Sequence, residues 1–270
     1  MKDNVGKISS PAIVCHGGAG HSAKDQPGVD AAVEAGWKIL QSGGTALDAA
    51  LASVVIMEDD PALNAGTGGR IRSDGSLQLD AAVMTSNGQY GAITCIQQTK
   101  NPILVAAKLL DEKVNILAGR GAREFADSIG IDREDVEGSL KPTGNDTVGA
   151  VVRDETGLIV VASSTGGCTA MPVGRIGDVP LIGAGLWCDE HIGVAATGIG
   201  EQITLKMSSV RIADRVAEGY DLEEVLKWGI NQYPSDIEVG FIALASEDVG
   251  FGLANTKICL LYTSPSPRDA

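Results

Sequence analysis

Apolar runs too short to be helices recur along the chain and limit what it can fold into. AIVCHGGAG, YGAITCIQ, VGAVV, LIVVASS, HIGVAAT, EVGFIALAS and VGFGLAN are dominated by small and β-branched residues, as expected of buried strands bounded by turns. Helix patterns lie between them. Residues 28 to 41 put Val29, Val33, Trp37 and Leu40 on one face, and Thr45-Ala46-Leu47-Asp48 is a capping-box pattern opening a second helix with Leu47, Leu51, Val54 and Val55. Further helices are expected near NPILVAAKLLDE, GAREFADSIG, residues 200 to 218 and residues 221 to 230. EDDPALNAGTGG reads as irregular, Asp74-Gly75 as a two-residue hairpin, Asp154 to Gly157 as a turn and residues 130 to 146 as an exposed linker. Strand groups alternate with helix pairs rather than one by one, which predicts an α/β (α+β) chain with mixed or antiparallel sheets and helices outside.

Glycine supplies 35 of 270 residues, well above the usual roughly 7%, and no collagen-like period accounts for it. Many turns and close backbone approaches are therefore expected. A formal charge of −14 opposes phosphate backbones and anionic membranes, so neither nucleic-acid nor membrane partners are expected. No apolar run approaches the roughly 18 residues of a spanning helix. The opening MKDNVGKISSPAIV has no signal-peptide core, which predicts a cytoplasmic protein. Five cysteines without a CxxC and only three histidines support neither a disulfide framework nor a zinc site.

The scarcity of histidine narrows the chemistry. HGGAG, residues 16 to 20, is similar to the oxyanion segment of some esterases, but no GxSxG nucleophile elbow accompanies it. Gly18, Gly20 and Ala23 fit a loose GxGxxA dinucleotide turn, the basis of an alternative reading as a nucleotide-binding oxidoreductase; Pro27 and Gly28 then delay the helix that should open inside the motif. A Ser-His-Asp triad is poorly served by three histidines. Hydrolysis without histidine needs another base, and an N-terminal threonine carries one: its α-amino group, with a pKa of roughly 7.7 to 8.0, can accept the proton of its own hydroxyl. Thr147, in GNDTVGAVVRD, joins a polar stretch to an apolar strand. It is internal, so that chemistry requires cleavage between Asp146 and Thr147.

The GNDTVGAVVRD segment, SSTGG at 163 to 167, GRIGDVPLIGAG at 174 to 185 and ATGIGE at 196 to 201 resemble the β-subunit signature of plant-type asparaginases and isoaspartyl peptidases. HGGAG, LNAGTGG and LDAAVM at 79 to 84 resemble the α-subunit of that family, and the match is co-linear from about residue 11 to 257. The resemblance implies a single N-terminal nucleophile hydrolase domain with a four-layer αββα sandwich, cut into subunits of residues 1–146 and 147–258 and paired as a dimer of such heterodimers. Its implied activity is threonine-dependent hydrolysis of small substrates, L-asparagine and β-aspartyl dipeptides. Carried over, Thr147 is nucleophile and base, Thr165 contacts it, Thr197 and Gly198 form the oxyanion hole, and Asn64 helps hold the new amino terminus. Arg175 and Asp178 resemble the pair that binds the substrate's α-carboxylate and α-amino group, with Gly198 lining the same pocket; a guanidinium fork and a carboxylate suit those charges. The chemistry requires no cofactor. The resemblance also implies a structural sodium ion held by main-chain oxygens of Met57, Glu58, Asp60, Leu63, Ala65 and Thr67.

Three departures stand out. Asp146 occupies a place where many asparaginase-branch members have glycine, and Val179 follows the GD pair in place of the commoner serine. An aspartate at the cleavage site also occurs in the glycosylasparaginase branch, a second alternative, although STGG and TGIGE resemble the asparaginase branch. A third alternative is an uncleaved, non-catalytic relative. The third departure is the tail: CLLYTSPSPRD, residues 259 to 269, resembles a translated sequencing adaptor, so residues 259–270 are expected to be non-native and the natural chain to be cut short near Ile258.

Overall fold

A computed structural model describes residues 10–20, 25–140, 147–246, 250–256 and 258–263. Its strands are β1 (Ala12–Ala19), β2 (Leu79–Thr85), β3 (Tyr90–Ile96), β4 (Ile116–Ala118), β5 (Val148–Arg153), β6 (Ile159–Thr165), β7 (Leu186–Cys188), β8 (Ile192–Gly198), β9 (Val239–Ala245), β10 (Gly250–Ala254) and β11 (Ile258–Thr263). A seven-stranded sheet runs β11-β1-β5-β6-β2-β3-β4, and a four-stranded sheet runs β10-β9-β8-β7. Pairing is antiparallel throughout except for β3 with β4.

The unbroken apolar runs have a simple cause: the central strands are covered on both faces. On β5 and β6, Val148, Ala150, Val152, Val160 and Ala162 pack outward against helices, whereas Val151, Ile159 and Val161 pack inward against the second sheet. This is the two-residue alternation of a pleated strand with apolar partners on either side. Each fully buried valine or isoleucine contributes about 1.5–3 kcal/mol. The outer helices are α1 (Gln26–Gln41), α2 (Ala46–Asp59), α3 (Pro102–Lys108) and α4 (Gly119–Ser128). On the far side of the four-stranded sheet lie α6 (Ser208–Ala217) and α7 (Leu222–Asn231), whose Ile212, Leu222, Val225 and Leu226 cover Val194, Ala196 and Phe241. The order is helices, sheet, sheet, helices, the expected αββα sandwich.

Local signals explain most boundaries. Pro27 sits in the first turn of α1, where a missing N–H costs nothing, so the helix starts two residues before its expected position. Thr45 caps α2 by accepting from Asp48 N at 3.1 Å, while its hydroxyl donates to Asp48 Oδ2 at 2.8 Å. That helix runs on through Asp59, so Glu58 and Asp59 belong to its last turn rather than to the irregular stretch. The Asp74-Gly75 turn closes a minimal hairpin, with Arg72 N bonded to Ser76 O at 2.8 Å.

One expected helix needs correction. The helix expected over 200–218 is broken: α5 (Gly200–Lys206) ends at Met207, which adopts a left-handed φ of 50°, before α6 begins. The start of α6 is drawn elsewhere, with Ser209 Oγ donating to Ala184 O at 2.6 Å and Val210 N to Gly183 O at 3.0 Å. The linker expected over 130–146 is mostly exposed as far as it is described, yet Ser139 bonds both Gly69 O and Ile71 N; residues 141–146, Asp146 among them, lie outside the described residues. The segment expected to begin a non-native tail supplies β11, which pairs antiparallel with β1. Backbone pairing places little demand on side-chain identity, and β11 takes the side of β1 that β5 leaves open.

Candidate active site

Thr147 immediately precedes β5 and is buried. Val148 pairs with Ser164, so one further step of the same register sets Thr147 opposite Thr165; Thr165 in turn pairs with Asp80 on β2. Residues opposite one another in antiparallel strands share a face. Thr147, Thr165 and Asp80 therefore form a row on the face turned toward the second sheet, in phase with Val151 and Ala82 of the inter-sheet core. Ser164 points the other way, its hydroxyl donating to the buried Glu58 Oε1 at 2.6 Å.

Asn64 is tied to the SSTGG segment from both ends: its Nδ2 donates to Gly167 O at 2.7 Å, and Gly166 N donates to its backbone oxygen at 3.2 Å. Gly167 N donates to Thr165 Oγ1 at 3.0 Å. The two loops approach so closely that a Cβ on Gly166 would collide with Gly69 Cα and Arg70 N. This contact accounts for glycine at 166, whereas a Cβ on Gly69 would run into the Leu79 and Leu77 side chains.

The second sheet brings Thr197 and Gly198 at the end of β8. Thr197 Oγ1 accepts from Ala19 N at 3.2 Å, linking the two sheets and leaving the hydroxyl proton available to donate. Gly198 has a φ of 136°, and a Cβ there would run into Glu238 O.

Arg175 and Asp178 lie together before α5, where Gly200 leaves room for both: a Cβ on it would be 2.7 Å from Asp178 Oδ1 and 3.1 Å from Arg175 Nη2. Burial pushes the Asp178 carboxyl up to about 7; Arg175 pulls it down, while Glu201 and Asp80 push it further up. Asp80 is pushed up to about 6 by burial, against the Cys95 N–H, which donates to its Oδ1 at 2.7 Å, and the guanidinium groups of Arg72 and Arg175. Val179 is fully buried, so this departure adds core surface rather than a polar contact.

Three charged residues to which the sequence reading gave no role belong to this region. Glu201, the last residue of ATGIGE, takes Arg175 in a two-bond fork. Asp80 stands inside LDAAVM, a motif recognised for its resemblance alone. Arg72 gave no signal at all, since an arginine in a hairpin reads as exposed, yet it is 2% exposed.

The dinucleotide-turn reading does not survive the topology. β1 is antiparallel to both neighbours and α1 opens only at Gln26, beyond the motif, whereas a dinucleotide turn joins a parallel strand to a helix beginning within it. Ala23 lies outside the described residues. Among the described residues no cluster of His, Cys, Asp and Glu could hold a metal ion, and no helix is long and apolar enough to cross a membrane.

Two stacked sheets with helices on both outer faces form the αββα sandwich of the N-terminal nucleophile hydrolase class. Within that class the chain belongs to the asparaginase family: its sequence matches the model of the family described as Asparaginase over residues 9–143 and 137–264. It is 36% identical over 248 residues to an N(4)-(Beta-N-acetylglucosaminyl)-L-asparaginase of Elizabethkingia miricola, covering 80% of this chain and 73% of that one. It is 35% identical over 290 residues to a plant-type L-asparaginase of Pyrococcus furiosus, covering 91% and 94%. To an isoaspartyl peptidase/L-asparaginase of Mus musculus it is 32% identical over 260 residues, covering 85% and 79%.

Proposed function

We propose that the protein is a threonine-dependent amidohydrolase acting on L-asparagine and β-aspartyl dipeptides, activated by cleavage between Asp146 and Thr147. The observation that carries this reading is the row Thr147, Thr165, Asp80 on the inter-sheet face, with Arg175 and Asp178 in electrostatic reach of Asp80.

Cleavage frees the Thr147 α-amino group, which takes the proton of the Thr147 hydroxyl as Oγ1 attacks the β-carbonyl carbon. Thr197 Oγ1 and the N–H of Gly198 stabilise the oxyanion. Collapse of the tetrahedral intermediate breaks the C–N bond; the amino group returns its proton to the departing ammonia or amino acid, leaving an aspartyl ester on Thr147. Water, deprotonated by the same amine, then cleaves the ester to L-aspartate and restores the hydroxyl. Arg175 holds the α-carboxylate, Asp178 the α-ammonium, and Asn64 and Thr165 orient the new terminus.

A sodium ion suits the loop after α2. Met57 and Glu58 lie in the last turn of that helix, whose final carbonyls have no partner within the helix, and no basic residue stands in that turn. The carbonyls of Asp60 and Ala65 each accept one N–H and keep a second lone pair. Main-chain oxygens of Met57, Glu58, Asp60, Leu63, Ala65 and Thr67 would hold the ion, which would stiffen the loop carrying Asn64. The active unit on this reading is a dimer of αβ heterodimers. Unbridged thiols at Cys15, Cys95 and Cys188 favour a reducing, cytoplasmic setting.

The test is release of ammonia from L-asparagine and of amino acid from a β-aspartyl dipeptide, with Thr147→Ala as control. Turnover abolished in the variant supports the reading; turnover retained removes Thr147 from its role. The Elizabethkingia relative favours a second reading, hydrolysis of N-acetylglucosaminyl-asparagine. A preference for that substrate over asparagine in the same assay would establish it.

A further inference from the structure

Next to the candidate site lies a charge that the proposed mechanism does not use. The Arg72 guanidinium is buried; its Nη2 donates to Gln78 O at 3.2 Å, and its Nε and Nη1 have no hydrogen-bond partner among the described residues. It lies against the SSTGG segment: a Cβ on Gly167 would be 2.6 Å from Nη1 and 3.3 Å from Cζ. The backbone is fixed by the Asp74-Gly75 turn through Arg72 N to Ser76 O and Gly75 N to Arg72 O. A buried guanidinium left short of partners is costly, so its retention calls for a compensating charge nearby.

That charge is Asp80, which pairs with Thr165 two residues before Gly167 and whose buried Oδ2 has no hydrogen-bond partner among the described residues. Two guanidinium groups, Arg72 and Arg175, favour its ionised form, as do the N–H groups of Cys95 and Gly177. Asp178 and the Cys95 thiol also lie within its electrostatic reach. Among the described residues around the substrate pair the count is three carboxylates, Asp80, Asp178 and Glu201, against two guanidinium groups. Without Arg72 one guanidinium would face all three, and the fully buried Asp80 would lose one of the two positive charges that favour its ionised form.

We infer that Arg72 is a positioning residue for substrate binding, the buried counter-charge to Asp80 beside the Arg175 and Asp178 pair. This rests on the amidohydrolase reading above. Arg72 touches no reacting atom; it acts through Asp80.

The test uses the full chain, with Arg72→Met, Arg72→Lys, Asp80→Asn and the Met/Asn double variant compared in asparagine hydrolysis across pH. Arg72→Met is expected to raise KM at neutral pH about tenfold while changing kcat less than about threefold. It should also shift the acid-side rise of KM to higher pH, because Asp80 then protonates sooner. Arg72→Lys keeps the charge and should recover most of the loss. Asp80→Asn should match Arg72→Met, and the double variant should be no worse than either, since both remove one interaction.

An Arg72→Met enzyme with wild-type KM and pH profile would overturn the inference, as would losses that multiply in the double variant. If Arg72→Met fails to fold because Asp80 is left unpaired, the double variant folds and shows the KM of Asp80→Asn; a double variant that also fails to fold would assign Arg72 to packing and overturn it. A wild-type chain with no turnover would instead overturn the functional reading, so the two failures are told apart.

Discussion

Glu201 holds Arg175 by both carboxylate oxygens, Oε1 2.8 Å from Nε and Oε2 2.8 Å from Nη2. The Nε edge of the guanidinium is therefore occupied, and Nη1 with the remaining Nη2 proton is left for a second carboxylate. Arg175 is positioned rather than sequestered. Its fork also holds the Glu201 carboxyl below its usual range.

Replacing Glu201 with Gln should thus impair substrate capture more than chemistry. Glu201 is half exposed, so solvent limits the effect; the expected result is KM up about two- to fivefold with kcat nearly unchanged. Steady-state kinetics on asparagine check this. A fall in kcat alone would place Glu201 in the chemical step.

Asp178 gives binding a pH dependence. Its carboxyl is pushed up to about 7, and only the ionised form pairs with an α-ammonium group. Affinity for the product L-aspartate should be full above that pH and decline below it, as a proton competes for the carboxylate. Calorimetry between pH 5.5 and 8.5 reads this without involving the nucleophile, whose amine affects turnover in the same direction. Well below the shifted value the predicted loss is about tenfold per pH unit. The same upward shift means that burying this charge destabilises the fold: its contribution worsens as pH rises from the ordinary value of 3.8 to about 7, then levels off.

The contact between Gly166 and Gly69 predicts a sharp steric result. Gly166→Ala sets a methyl group against backbone atoms that cannot yield cheaply, so a loss of about 2–4 kcal/mol in stability and a severe loss of activity are expected. Gly88→Ala, in open space with a φ of 88°, should cost only about 1 kcal/mol and leave activity intact. Thermal melts of both variants check the contrast.

The strands were readable where burial on both faces suppresses polar alternation, as in β5 and β6. The three-residue strands β4 and β7 are too short to leave a pattern. The break at Met207 was hidden because contacts from Ser209 and Val210 to a distant loop impose it. At the site, motif resemblance supplied Thr147, Thr165, Asn64, Arg175 and Asp178 before any geometry was known. Glu201 and Arg72 escaped because a charge gains its role only from what folding sets beside it, and an isolated arginine after a glycine loop carries no trace of Asp80.

The most direct test of the central claim is the intact mass of the purified chain followed over time. The account predicts conversion to two fragments that split between Asp146 and Thr147, with activity rising as the new threonine terminus appears, and no conversion in Thr147→Ala. A chain that stays whole while hydrolysing asparagine, or that is cut at another bond, would contradict it.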